Sequence, residues 1–568
     1  MIKELFTNDY GPDGFRTCSV TGMRIDRTAE NFVKVFGLTA VVALVVGGIS
    51  AILVVLTRWE VVGLLGPADF YNWLSVHAWN LLIFWMVFME VAILYVGGPM
   101  VLGRKLPVPK LAMVGYVLML GAAIGINWAL MTTSAPDHAP VLTSYAPLPS
   151  SEWFYLGAIV FILGTVIAAL PFFAAIWQEK VENPNRSLPL VAFGAFITAI
   201  IAVEALLGGL ITYIPTYMWR IGLLEHIDAA WYRQMYWIVG HGSQQINLAA
   251  MITVWYFLTH VVGGAEVVSE KVSRSAFILY LFFINMGAAH HLMADPALAA
   301  SWKVWNTSYA AYGAVLASMI HAFAIPAGLE AGRRKRGAGK SLFGWLWSSP
   351  WSNPVFSAVI FSIILFGFMG GITGVLMGQM QLNLAWHNTW ATVGHFHATV
   401  VLGTTMTFMG LVFFVIQTMF RKELIMAPLA KIQPWFYSGF MALTTLMMMY
   451  LGILYGIPRR HASVMNIPGT DFNFAAAEPL FVVFGIAALL AIAGGILFAL
   501  ISVGSLLFGN RLDPSTVFRP THSWQGDGSP VHLQSMRGTF AFTLIFLAVF
   551  VIAYVLNWYL LSRLWEIG

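Results

Sequence analysis

Three histidines fall within eleven residues at His387-Asn-Thr-Trp-Ala-Thr-Val-Gly-His395-Phe-His397, near the start of a long apolar run. On a helix, residues two apart point about 200° from each other. His395 and His397 therefore cannot share one metal ion, but they can each reach a different prosthetic group on opposite sides of one helix. Further histidines stand at His77, His241 and the adjacent pair His290 and His291. Imidazole is the commonest metal ligand in proteins. The single cysteine, Cys18, rules out a disulfide framework and a thiolate cluster. Any metal in this chain has to be held mainly by histidine.

The elements that must position these side chains are membrane helices. The 568 residues are 59% hydrophobic and 10% charged, with a mean hydropathy of +0.77, which no soluble globular chain of this length matches. Fourteen percent aromatic residues, among them 22 Trp, suits interfacial belts and large apolar cofactor pockets. Apolar runs of bilayer length fall at roughly 34–56, 72–100, 111–131, 152–178, 189–214, 234–262, 275–296, 305–330, 355–380, 390–418, 435–456, 478–508 and 538–562. The expectation is an all-α integral membrane protein of about thirteen spans. Residues 1–33 form a cytoplasmic segment, and 34–568 form one transmembrane catalytic domain. The longest polar loop, 510–537, is too short for a fold of its own. The first 30 residues are polar and mixed in charge, with no pattern of a cleavable signal, so the first span serves for insertion. A net charge of +5 gives no footing for a nucleic-acid partner. Twenty-three of the 30 Arg and Lys precede the first span or follow even-numbered ones. The positive-inside rule then puts the N-terminus in the cytoplasm of a prokaryotic cell membrane and the C-terminus outside.

With that topology, six histidines from four spans reach one depth on the outer side: His77, His241, His290, His291, His395 and His397. Ionisable groups at such depth are costly and mark function. His290 and His291 diverge, and His241 on a facing helix completes a tripod around one ion. Opposite it, one of His395 and His397 can ligate a heme iron, while the other pairs with His77 in a bis-histidine heme. Arg459-Arg460, in an outer loop, suits anionic heme propionates.

On these segments the chain resembles the catalytic subunit of the heme–copper oxidase superfamily. The matching motifs are Ser75-Val-His77-Ala-Trp-Asn, Trp237-Ile-Val-Gly-His241, His290-His291, the His387–His397 stretch and Ile457-Pro-Arg459-Arg460. Their detail is most similar to the B-type oxygen reductases. The resemblance implies a low-spin heme on His77 and His397, a high-spin heme on His395, and a second active-site metal on His241, His290 and His291. It also implies that Arg459 and Arg460 hold propionates, with His387 near those of the high-spin heme at a water or proton exit. A copper- or cytochrome-c-containing partner subunit on the outer side would deliver electrons, with cytochrome c or quinol as donor and membrane lipid as the surround.

One position departs from the family. Its oxygen reductases of this type carry His-Pro-x-x-Tyr after the first tripod histidine, and here the segment is His241-Gly-Ser-Gln244-Gln245. Glutamine supplies neither the electron nor the proton that the tyrosine gives when dioxygen is split in one four-electron step. Coupling two molecules of NO needs only two electrons, and loss of the tyrosine is what the nitric oxide reductases of the superfamily share. The expected activity is therefore reduction of 2 NO to N2O and water. Those enzymes usually add a glutamate to a non-heme iron, and none stands beside His241 or the histidine pair. Three imidazoles suit copper better than iron, with non-heme iron as the alternative. Gln244 and Gln245 are the candidate polar groups at the reacting centre, and Glu204 in span 5 is a candidate proton-relay or supporting acid. The competing readings are an oxygen reductase whose tyrosine has moved to Tyr280 or Tyr236, an NO dismutase, and a transporter with a histidine-lined path.

Overall fold

The computed structural model describes residues 2–133, 140, 149–283, 285–338, 341–463, 476–518 and 536–564. Most of the polar loop 510–537 lies outside the described residues. Among those described, twelve helices are long and apolar enough to cross a membrane: α1 (Arg27–Arg58), α2 (Pro67–Met100), α3 (Pro109–Thr132), α4 (Glu152–Glu182), α5 (Leu190–Arg220), α6 (Ala229–Gly263), α8 (Ala300–Lys335), α9 (Pro354–Met377), α10 (Trp390–Thr418), α11 (Ala427–Tyr455), α12 (Glu478–Phe508) and α13 (Arg537–Arg563). The remaining expected span, the seventh at 275–296, is α7 (Glu270–Phe283) followed by a 3-10 segment, Asn285–Leu292. Among the described residues the one sheet is a small antiparallel hairpin, β1 (Phe15–Thr17) with β2 (Arg24–Asp26), Arg16 facing Ile25.

Lipid offers helices no hydrophobic drive to associate, so they are held by close packing and polar links. A Cβ on Gly452 of α11 would lie 1.9 Å from the Ala391 backbone nitrogen of α10, so only glycine permits that approach. Trp255 of α6 donates to Ser362 of α9 at 3.0 Å and to Thr407 of α10 at 2.8 Å. At the end far from the histidines, the Glu30 carboxylate is fully buried and accepts from Arg16 twice at 2.7 Å, from Tyr10 at 2.8 Å and from Asn8 at 2.7 Å. Arg16 and Asn8 also donate to Thr418 and Met419 carbonyls, tying the N-terminal segment to the end of α10. Glu330, also fully buried, accepts from the backbone N–H groups of Gly538 and Thr539 and from Arg334, anchoring the first turn of the thinly packed α13.

Helix α10 is the centre of the bundle, with 89% of its most apolar window buried. Its α-turns are interrupted after Phe396 by a π-segment, His397–Thr405, and resume over Met406–Thr418. A second π-segment, Phe366–Gly371 of α9, packs against it where Gly370 meets Ala398 and Thr399. Such wide turns free backbone carbonyls, which in lipid need partners. Ser362 donates to the Gly403 carbonyl at 2.7 Å and meets that need.

Candidate functional site

His241 leaves α6 toward the 3-10 segment that carries His290 and His291. Neighbouring side chains on a 3-10 turn lie about 120° apart, yet both imidazoles reach His241. His241 Nδ1 lies 2.8 Å from His291 Nε2, and the His241 and His290 rings are 4.1 Å apart and perpendicular. One nitrogen from each of the three histidines falls within 4.8 Å of the others, a donor set with the spread of a metal tripod. Trp237, one turn before His241, stacks flat on His291 at 3.7 Å and fixes its plane. Gln245, one turn after His241 on the same helix face, is 7% exposed and sets its amide nitrogen against His241 Nε2. Gln244 lines the same cavity and accepts from Asn247 at 3.3 Å.

The other three histidines share one arrangement. His77 Nδ1 faces the Gly47 carbonyl at 3.2 Å, and His397 Nδ1 faces the Val393 carbonyl at 2.8 Å. A carbonyl only accepts, so Nδ1 carries the proton in both rings and Nε2 keeps its lone pair. His395 Nδ1 lies 2.9 Å from the Thr373 hydroxyl, which already donates to the Met369 and Gly370 carbonyls and so accepts here. All three rings are thus held in the tautomer that leaves Nε2 for a metal, with the other nitrogen bonded to the protein as in ligating histidines generally. Gly374 makes room for His395: a Cβ there would stand 3.0 Å from the ring carbon Cε1.

All six histidines line one cavity of about 1120 Å³. Arg459, Arg460 and His387 stand on its wall as well. Their loop is built by a left-handed turn at Asn388 (φ 59°), a conformation asparagine tolerates better than most residues. The Asn388 carbonyl accepts from the Arg459 N–H at 2.6 Å, and Trp390 N–H donates to the Ile457 carbonyl at 2.8 Å, so the two loops are zipped together. His387, outside the spans, has its pKa held below the ordinary histidine value, first by burial and then by the nearby charges of Arg233 and Arg459, with Asp295 opposing. Glu204 lies elsewhere, on an exposed face of α5 and not among the residues lining the cavity. Its neighbour Ala205 packs on Gly242 of α6, and one residue on a helix is about 100° of rotation. Tyr236 lines the cavity, whereas Tyr280 is buried away from it, its hydroxyl 3.0 Å from Ser318.

Three further residues belong to this region. Thr373 orients His395, Arg233 pairs with Asp295 at 2.6 Å beside His387, and Arg58 is 4% exposed on the cavity wall. Thr373 carried no signal in the sequence. Arg58 and Arg233 counted there only among the seven basic residues of the outer loops and the C-terminus.

Imidazoles grouped this way around one intramembrane cavity, with arginines on its wall, fit two iron porphyrins and a third metal, the equipment of a membrane redox enzyme. The chain belongs to the family described as cytochrome c and quinol oxidase polypeptide I, whose pattern matches residues 31–490, and it is a heme–copper oxidase subunit I. It is 28% identical over 468 residues to cytochrome c oxidase subunit 1 of Thermus thermophilus, covering 80% of this chain and 79% of that one. It is 25% identical over 453 residues to a probable quinol oxidase subunit 1 of Staphylococcus aureus, covering 76% of this chain and 64% of the relative. The fold is that of a solved structure described as a heme–copper terminal oxidase dimer, with a TM-score of 0.81, 24% identity, and coverage of 94% and 92% of the two chains.

Proposed function

We propose that this subunit reduces nitric oxide: 2 NO + 2 e⁻ + 2 H⁺ → N2O + H2O. The observation that carries the reading is Gln245, a side chain without redox chemistry, one turn after His241 and in contact with it. When bound, a low-spin heme, a high-spin heme and a copper ion supply electron storage and the Lewis acid. His77 and His397 hold the first, His395 the second, and His241, His290 and His291 the third. Two electrons are all that the coupling of two NO molecules requires, and no side chain has to be oxidised. Gln245 can donate its amide N–H to a substrate oxygen as negative charge grows there. Trp237 and Thr373 keep the ligand rings from turning, and Arg459 and Arg460 balance the propionates. Electrons come from a partner subunit served by cytochrome c or quinol, with the histidine end of the bundle outside and the N-terminus in the cytoplasm.

A second reading is oxygen reduction with Tyr236 as the redox-active side chain, favoured by its place on the cavity wall and by the names of the relatives. Turnover of the reduced enzyme with NO and, separately, with O2 decides. Fast N2O formation with slow O2 uptake is the expected result. Rapid four-electron O2 reduction with a tyrosyl radical would return the chain to the oxidases.

A further inference from the structure

Arg58, at the end of α1, is a buried cation. Its Nη1 and Nη2 donate to the Arg459 carbonyl at 3.2 Å and the Pro458 carbonyl at 2.9 Å. The Trp390 ring packs 4.6 Å from the guanidinium carbon. The Nε–H is buried without an acceptor, and among the described residues no carboxylate lies within ion-pair distance of Arg58. Glu60, two residues on, accepts from Ser463 at 3.1 Å; its charge acts on Arg58 through space, but the two do not form an ion pair. An arginine keeps its charge at any pH a protein meets, and a buried charge is tolerated when it is paired. Carbonyl dipoles and an indole face soften the cost of burial but bring no net negative charge.

The cavity that Arg58 lines is the one that holds His77 and His397. We propose that Arg58 is an anion-binding residue of this cavity, taking the carboxylate of a porphyrin propionate and completing a cationic group with Arg459 and Arg460. The proposal rests on the reading of His77 and His397 as ligands of one heme. Helix α1 carries both contacts: the Gly47 carbonyl that orients His77 and, eleven residues on, Arg58. Eleven residues are about 16 Å of helix rise, so one rigid element sets the ligand ring and, farther toward the arginine loop, the charge for the carboxylate edge. The same guanidinium clamps the Pro458–Arg459 backbone and so also places Arg459.

The clamp and the charge separate in two variants of the full-length protein, Arg58→Gln and Arg58→Lys. Hemes are counted as pyridine hemochromes, and the low-spin heme is titrated optically against potential. A fixed cation close to a heme favours its reduced, less positive form. Arg58→Gln is expected to keep two hemes and lower the low-spin midpoint potential, with Arg58→Lys closer to wild type. A wild-type potential in Arg58→Gln with both hemes present overturns the proposal. Where Arg58→Gln loses the low-spin heme, Arg58→Lys decides: retention supports the charge, and equal loss shows that only the fork to the carbonyls matters and overturns it. The heme reading itself fails on a different result, a bis-histidine signal that survives His77→Ala and His397→Ala.

Discussion

Replacing Gln245 by leucine separates what its amide does from the space it fills. The side chain is 7% exposed, and its amide nitrogen already touches His241 Nε2 inside the histidine cavity. A hydrogen bond to a charged group is worth about 1.5–3 kcal/mol net. A preorganised donor in a water-poor catalytic site reaches about 3–4 kcal/mol. Gln245 shares its amide with an imidazole, so the lower range applies, and the rate should fall by about tenfold to a little over about a hundredfold. The assay is NO consumption by the reduced enzyme at an NO electrode, on protein whose heme and copper contents match wild type. Turnover within about twofold of wild type, with hemes and metal intact, would refute the donor role and leave Gln245 as packing. Loss of copper in the variant would instead show that the amide acts by holding His241. Neither outcome restores a redox-active side chain one turn after His241.

His77→Ala and His397→Ala should each remove one heme and stop electron transfer to the active site, read as half the hemochrome yield with loss of the low-spin spectrum. Elemental analysis should give one copper per chain, bound by His241, His290 and His291, because the three nitrogens converge within 4.8 Å with no carboxylate in the group. One non-heme iron and no copper would overturn that assignment. Glu330→Gln should loosen α13, since the carboxylate takes two backbone N–H groups and Arg334 at once. Breaking a buried ion pair of this kind costs on the order of 3 kcal/mol, and limited proteolysis before residue 537 should speed up. Unchanged cleavage would show that lipid alone holds the last helix.

The apolar runs, the charge asymmetry and the histidine spacing were legible in the sequence because each is a one-dimensional consequence of the bilayer. A span needs about 20 apolar residues, and an imidazole at depth stands out against them. Helical rotation alone separated His395 from His397. The partner of each Nδ1 was not legible: Gly47 is 30 residues from His77 and Thr373 is 22 from His395, and a carbonyl or a lone threonine has no sequence signature. The convergence of His290 and His291 on His241 was legible only as an option, because adjacent side chains diverge on any helix and the apolar pattern reads the 3-10 segment as an ordinary one. Glu204 and Arg58 mark the limit most clearly, one a charge within an apolar span and the other just past the end of one. Which one faces the cavity was decided by helix rotation and by a loop 400 residues away, whose carbonyls draw the arginine inward.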